Sequence, residues 1–379
     1  MRSVCFVNKF EFDFVGKVLQ DAICIGDIDN DGESELLVGN TNGDLSIFKG
    51  EKLWQKISGL GMIASVAVGD VTNCGSNAVV TVSVEGWCHI YLCLNYTKSG
   101  SGEKLQRLHK QCIPANTKAL ILGDIQGDGQ IDMILGLSDR VVRIYRWLQT
   151  PAEVTLVCLS KCESANQIGS ICIIKNDNKK PCILVSQPGA TYMTITYIGD
   201  GKTSVDYHVV PPGKHNSSNV SCQIIGNVNG NDSLAIASLN GNVVLIKDSQ
   251  PVWSINVDHQ TFIINKVNMC NDGSEQIVAS SWSGHTFIID YQGNAVCFEL
   301  GTPIQTFISG LYSSRGSTTF IFVTFNNKIL VYYDVAMESL VLHSLYALQL
   351  KDSRLSSLSR NELKQLTNFC LYNFKGSKK

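Results

Sequence analysis

At 379 residues, 44% apolar and 17% charged with a formal charge of −2, the chain can bury one large core but lacks the basic excess that would hold nucleic acid or anionic lipid. No stretch approaches the ~20 consecutive apolar residues of a membrane helix, and the alternating, charged N-terminus has no apolar secretory run, so a cytoplasmic protein with no membrane insertion is expected. The fourteen cysteines form no C-x-x-C pair, and Cys24, Cys172, Cys182, Cys222 and Cys297 fall within strand-like runs, which predicts reduced core thiols instead of zinc ligands or disulfides.

Arg2 to Phe12 lies outside the pattern that follows it. The first unit then reads as a short apolar strand, Asp21 to Gly26, an acidic loop from Asp27 to Glu35, and a second strand at Leu36-Leu37-Val38. Asn42-Gly43 predicts a type I′ hairpin into a third strand at Leu45 to Phe48, and Lys52 to Ile57 alternates as a half-exposed fourth. Six further units repeat this order. Their turn residues, Gly43, Gly86, Asp139, Gly189, Gly241, Gly284 and Asn327, are spaced 43, 53, 50, 52, 43 and 43 residues apart.

A second marker keeps the same rhythm: Gly26-Asp27, Gly69-Asp70, Gly123-Asp124 and Gly226-Asn227 end the first strand of their units. Four strands per unit at a period of roughly 40–50 residues are the signature of propeller blades. The chain is therefore expected to be all-β: a seven-bladed β-propeller over residues 1–338, followed by a short C-terminal helical tail over 339–379. Arg2 to Phe12 is expected to close the ring as the outer strand of the last blade, with Leu340 to Leu345 as the rival for that place.

The longer connectors, Asn95 to Glu103, Gly199 to Ser204 and Pro211 to Asn219, read as solvated loops. In the tail, Ser359-x-x-Glu362 is a capping-box pattern ahead of Leu363, Leu366, Cys370 and Phe374 on one helical face. That helix could pack on its own propeller or serve a partner groove.

Asp27-x-Asp29-x-Asp31-Gly32-x-x-Glu35 spaces carboxylates around a tight glycine turn, a donor set suited to Ca2+, which takes six to eight hard oxygens. The third unit keeps Asp124, Asp128 and Asp132, so Ca2+ is expected, if anywhere, in the loops of blades one and three. The same residues also build side-chain turns without an ion. No catalytic constellation is present, and no enzyme is expected. His259 reads as a core hydrogen-bonder, and Trp87 and Trp282 as packing between blades.

The acidic loops followed by "ELLVG" and "DMILG" resemble the FG-GAP repeats of integrin α-subunit propellers. "VSVEGWCHIY", "IPANTK", "VDHQTF" and "FVTFNNKILVYY" narrow the likeness to the FG-GAP repeat-containing proteins that form the propeller component of the KICSTOR complex, from about residue 20 to 335. The loops of blades two and four to seven depart from the full acidic pattern. The resemblance implies a non-enzymatic scaffold whose partners are a kaptin-like propeller, the other KICSTOR subunits and the GATOR complex. It further implies residence at the lysosomal membrane surface and restraint of mTOR signalling during amino-acid scarcity. The alternative is an extracellular, integrin-like calcium-binding adhesion propeller, with glycans at Asn95, Asn216, Asn219 or Asn231 and disulfides among the cysteines.

Overall fold

The computed structural model describes residues 1–93, 105–149, 154–175, 180–189, 191–210, 222–230, 233–257, 259–270, 273–313, 316–337, 339–341, 349, 353–355 and 358–373. The four glycosylation sequons, the connectors 95–103 and 211–219, most of 340–345 and Phe374 lie outside these residues. The chain divides into two compact units, Met1–Glu338 and Ser339–Lys379.

The first unit is a seven-bladed β-propeller. Strand β1 (Arg2–Val4) and strand β2 (Lys9–Asp13) precede blade one, which consists of β3 (Ile23–Gly26), β4 (Glu35–Gly39), β5 (Leu45–Lys49) and β6 (Lys52–Ile57) in antiparallel order. The inner strands of the later blades are Ile63–Gly69, Thr117–Gly123, Ile171–Lys175, Cys222–Ile225, Thr261–Val267 and Ile304–Leu311. Each inner strand packs against the next, and the seventh packs against β3, so the ring closes.

Burial explains why these segments are strands. The second strand of each blade is sandwiched between neighbouring sheets: β4 and Ala78–Ser83, Asp132–Leu137, Gln276–Ser281 and Thr318–Thr324 are buried at every position. A continuous run of Val, Ile and Leu suits a strand covered on both faces. The outer strands, such as Leu105–Cys112 and Lys202–Val209, are mostly exposed and correspondingly polar.

The glycine of the first marker is a packing requirement. A Cβ on Gly26 would lie 2.7 Å from Val68 Cβ, so the neighbouring blade's inner strand already fills that space. The turn marker is conformational. Gly86 sits at φ 94°, and a Cβ there would approach the Ile113 carbonyl to 2.2 Å.

Two local expectations are corrected. The first hairpin is not type I′, because Gly43 is left-handed and Asn42 is not; Asn40 Oδ1 instead accepts the Asn42 and Asp44 amides and builds a longer turn. In blade three the left-handed residue is Arg140, at φ 68°, not Asp139.

The N-terminal segment does two jobs. β2 pairs antiparallel with Lys328–Tyr332 and completes the seventh sheet, while β1 runs parallel to Ala295–Glu299 and adds a fifth strand to the sixth. Between them, Phe6 packs against Phe298 and Phe320, with ring centroids 5.1 and 5.8 Å away. Within the second unit, helix α1 (Arg360–Asn368) begins at Ser359 with both halves of the capping box formed, and buries Leu363.

Candidate functional site: the acidic loops and the opposite face

Antiparallel order places two sets of connections on opposite faces of the ring. One face carries the acidic loops between first and second strands; the other carries the turns between second and third strands.

On the acidic face, the first aspartate of a loop serves the loop's own backbone. Asp27 accepts the Asp31 and Gly32 amides at 3.2 and 3.0 Å. Asp70 does the same for Cys74 and Gly75, and Asp124 accepts Gly127 and Gly129 at 2.7 and 2.8 Å. Asp31 and Asp128 each accept the amide two residues on, from Glu33 and Gln130. These carboxylates are turn-formers in three successive blades, whether or not the rest of the acidic set is present.

The loops also staple blades together. Asn30 Oδ1 accepts the Asn77 amide at 2.9 Å, Asn73 Oδ1 accepts the Ile131 amide at 2.6 Å, and the Asn229 amide donates to Glu275 Oε2 at 2.7 Å. All three asparagines are left-handed, a conformation their short polar side chains tolerate.

The structure brings Asp29, Asp31 and Glu35 together around a cation that the sequence reading missed. Lys49 Nζ lies 2.7 Å from Asp29 Oδ2, 2.5 Å from Asp31 Oδ2 and 3.3 Å from Glu35 Oε1. Arg146 holds the corresponding position in blade three, with Nε 2.7 Å from Asp132 Oδ1 and Nη1 2.6 Å from Asp128 Oδ2. Among the described residues the hydrogen bonds and ion pairs of the Arg146 guanidinium go to Asp128 and Asp132, not to Asp124. The available signal was spacing, since each cation follows its loop's fifth-position aspartate by 18 residues.

Burial shapes the charges. Desolvation pushes the Glu35 carboxyl up to about 7, with the Asp29 charge adding to the rise. Burial alone would lower Lys49, yet its bonds to Asp29 and Asp31 hold the ammonium above the usual lysine range. Bonding to Asp132 likewise raises Arg146, whereas burial raises Asp132 itself.

The chemistry of the first loop is that of a hard-cation site: Asp27, Asp29 and Glu35 each present an oxygen within 4.8 Å of the others, and buried Asp29 Oδ1 has no hydrogen-bond partner. A divalent ion bound to Asp29 and Glu35 would, however, crowd the Lys49 ammonium that already contacts both. The donors fit the ion; the neighbouring cation does not.

The opposite face exposes several large apolar side chains. Trp282 and Phe325 each stand two residues before the turn residue of blades six and seven, half-exposed, and Leu19, Met62 and Trp87 lie on the same face. The ring contacts of the two tryptophans lie within their own blades: Trp87 under the Lys110 ammonium at 4.1 Å, and Trp282 stacked at 4.9 Å on Phe262. His259 donates from Nδ1 to the Val257 carbonyl at 2.9 Å and packs on His285. At the mouth of the axis, a cavity of about 350 Å³ is lined by Gln20, Asp21, Asn116, Lys118 and Gln223. Burial pushes Asp21 there up to about 6.

Residues 49–203 and 196–337 match the sequence profile of the integrin-alpha FG-GAP repeat-containing protein 2 family. The chain belongs to that family. This FG-GAP protein is 37% identical over 384 residues to the Mus musculus protein named KICSTOR complex protein ITFG2, covering 89% of this chain and 86% of that one. The Bos taurus protein of the same name is 36% identical, over 89% of this chain and 72% of the relative.

Solved structures share the fold. BBS1N in its complex with ARL6DN superposes with a TM-score of 0.67 at 13% identity, covering 89% of this chain and 99% of that one. Chaetomium thermophilum Raptor gives 0.61 at 13% identity, over 88% of this chain and 30% of Raptor. Saccharomyces cerevisiae Sqt1 gives 0.61 at 11% identity, over 87% and 99%. These likenesses place the FG-GAP protein among propellers and carry no function. No disulfide joins any of the cysteines, and no helix among the described residues is long and apolar enough to cross a membrane.

Proposed function

We propose that this chain is a non-enzymatic subunit of KICSTOR that works as a rigid docking wheel for other proteins. The observation that carries this reading is the 37% identity, sustained over 89% of the chain, to a protein named for that complex. The partners would be a kaptin-like propeller and the remaining KICSTOR subunits. Through them the chain would help tether GATOR at the lysosomal surface and restrain mTOR signalling when amino acids are scarce. Ca2+ at the acidic loops is no part of this reading.

One feature supports a contact role. The turn face exposes Trp282 and Phe325 at equivalent positions of adjacent blades, and large aromatics are the residue type that anchors protein interfaces.

Affinity capture of the tagged full chain from cells tests the proposal. Co-purification of a kaptin-like propeller together with a very large subunit is expected. Recovery of the chain alone under gentle lysis, at native expression, would overturn it.

A further inference from the structure

We propose that Lys49 and Arg146 are built-in cations that take the ion's place in the acidic loops of blades one and three. These loops, and the blade junctions they staple, are then held without a divalent metal.

Register makes the two sites equivalent. Glu35 pairs with Gly26 and Asp132 with Gly123, so both carboxylates oppose the glycine that ends an inner strand. On the other side, the pairings Leu36 to Phe48 and Met133 to Tyr145 place Lys49 directly across from Glu35 and Arg146 across from Asp132. Glu35 and Asp132 are both fully buried, where an unpaired charge is costly.

The other five blades act as internal controls. At the same two register positions blade two has Ala78 across from Leu92, and blade five has Leu234 across from Ile246. One pair beyond Ile183 to Ile195, Ile277 to Ile289 and Phe320 to Tyr332, blade four has Cys182 across from Thr196, blade six Gln276 across from Asp290, and blade seven Thr319 across from Tyr333. None of these five carries a carboxylate at the position of Glu35 and Asp132, and none places a cation across from it. Carboxylate and cation therefore occur together or not at all. A loop that relied on an external ion would keep its acid without needing a lysine or arginine opposite.

Geometry adds exclusion. A calcium ion would sit 2.3–2.6 Å from its oxygens, within the space that Lys49 Nζ occupies at 2.7 Å from Asp29 and 3.3 Å from Glu35. Ion and ammonium compete for the same two carboxylates.

The full chain is melted in EDTA and in millimolar CaCl2, and calcium uptake is followed by titration calorimetry. Wild type is expected to melt at one temperature in both and to take up no calcium. K49M should melt several degrees lower in EDTA and recover with CaCl2, because the freed carboxylates then accept the ion. E35A/K49L, which copies blade two, should melt near wild type and ignore calcium; it decides the question if K49M fails to fold. A wild-type melting point that moves with EDTA or CaCl2, a K49M chain that loses nothing or ignores calcium, or an E35A/K49L chain that still needs the ion overturns the proposal.

Discussion

The Phe14 amide donates to the Asn327 carbonyl at 2.9 Å, and this bond ties the N-terminal strand to the turn of the last blade. Five other blades make the same bond within a single run of chain: Leu60 to Gly43, Ile113 to Gly86, Ser164 to Arg140, Val257 to Gly241 and Leu300 to Gly284. In each case a residue just past the outer strand, the third in blade one and the first elsewhere, caps the carbonyl of the left-handed turn residue. β2 therefore occupies the fourth-strand place of blade seven in hydrogen bonding as well as in position.

Cutting that latch should open the ring. Phe12 stacks on Phe48 with ring centroids 4.3 Å apart, joining the closing strand to blade one. Phe12→Ala should lower unfolding free energy by about 3 kcal/mol through lost burial and the cavity it leaves. Urea denaturation checks this, and an unchanged midpoint would show that the latch contributes nothing to closure.

The turn residues should respond in opposite senses. Gly86→Ala meets both a positive φ and the Ile113 carbonyl, and should cost about 2 kcal/mol or more. Arg140→Gly removes a strained left-handed arginine and should be neutral or stabilising by up to about 1 kcal/mol. Thermal melts of the two variants side by side give the comparison.

His89 predicts a pH dependence. Its side chain is buried, Nδ1 has no hydrogen-bond partner, and burial, helped by Lys110 and Arg107, pushes the imidazole down to about 4. The unfolded chain takes up the proton near pH 6.5 while the folded chain refuses it until about 4. Stability is thus intact above 6.5 and lost as pH falls through that window, by about 2–3 kcal/mol from this group. His89→Gln should flatten that part of the stability–pH curve; a slope identical to wild type would show that His89 already protonates in the folded ring.

The turn face should carry partner contacts. Trp282→Ser and Phe325→Ser together should reduce capture of the partner propeller by on the order of tenfold while shifting stability by no more than about 1 kcal/mol. Retained capture with both aromatics gone would move the contact surface elsewhere.

Much of this protein was legible along the chain because its units are local. A hairpin turn demands a residue that tolerates positive φ, a sandwiched strand demands an apolar run, and both recur at blade intervals, so the count of seven and the strand order follow from residue types alone. The likeness to the FG-GAP family was legible for the same reason. What the chain could not display was anything set by contacts between distant strands. That Lys49 opposes Glu35 depends on ladder register, that Arg2–Val4 leaves blade seven for blade six depends on which sheet edge is free, and that Trp282 faces solvent depends on where its blade's turn emerges. Periodicity declares which segments are strands; only pairing them and closing the ring decides which side chains then meet, because a fixed spacing names a partner only once the ladder register is known.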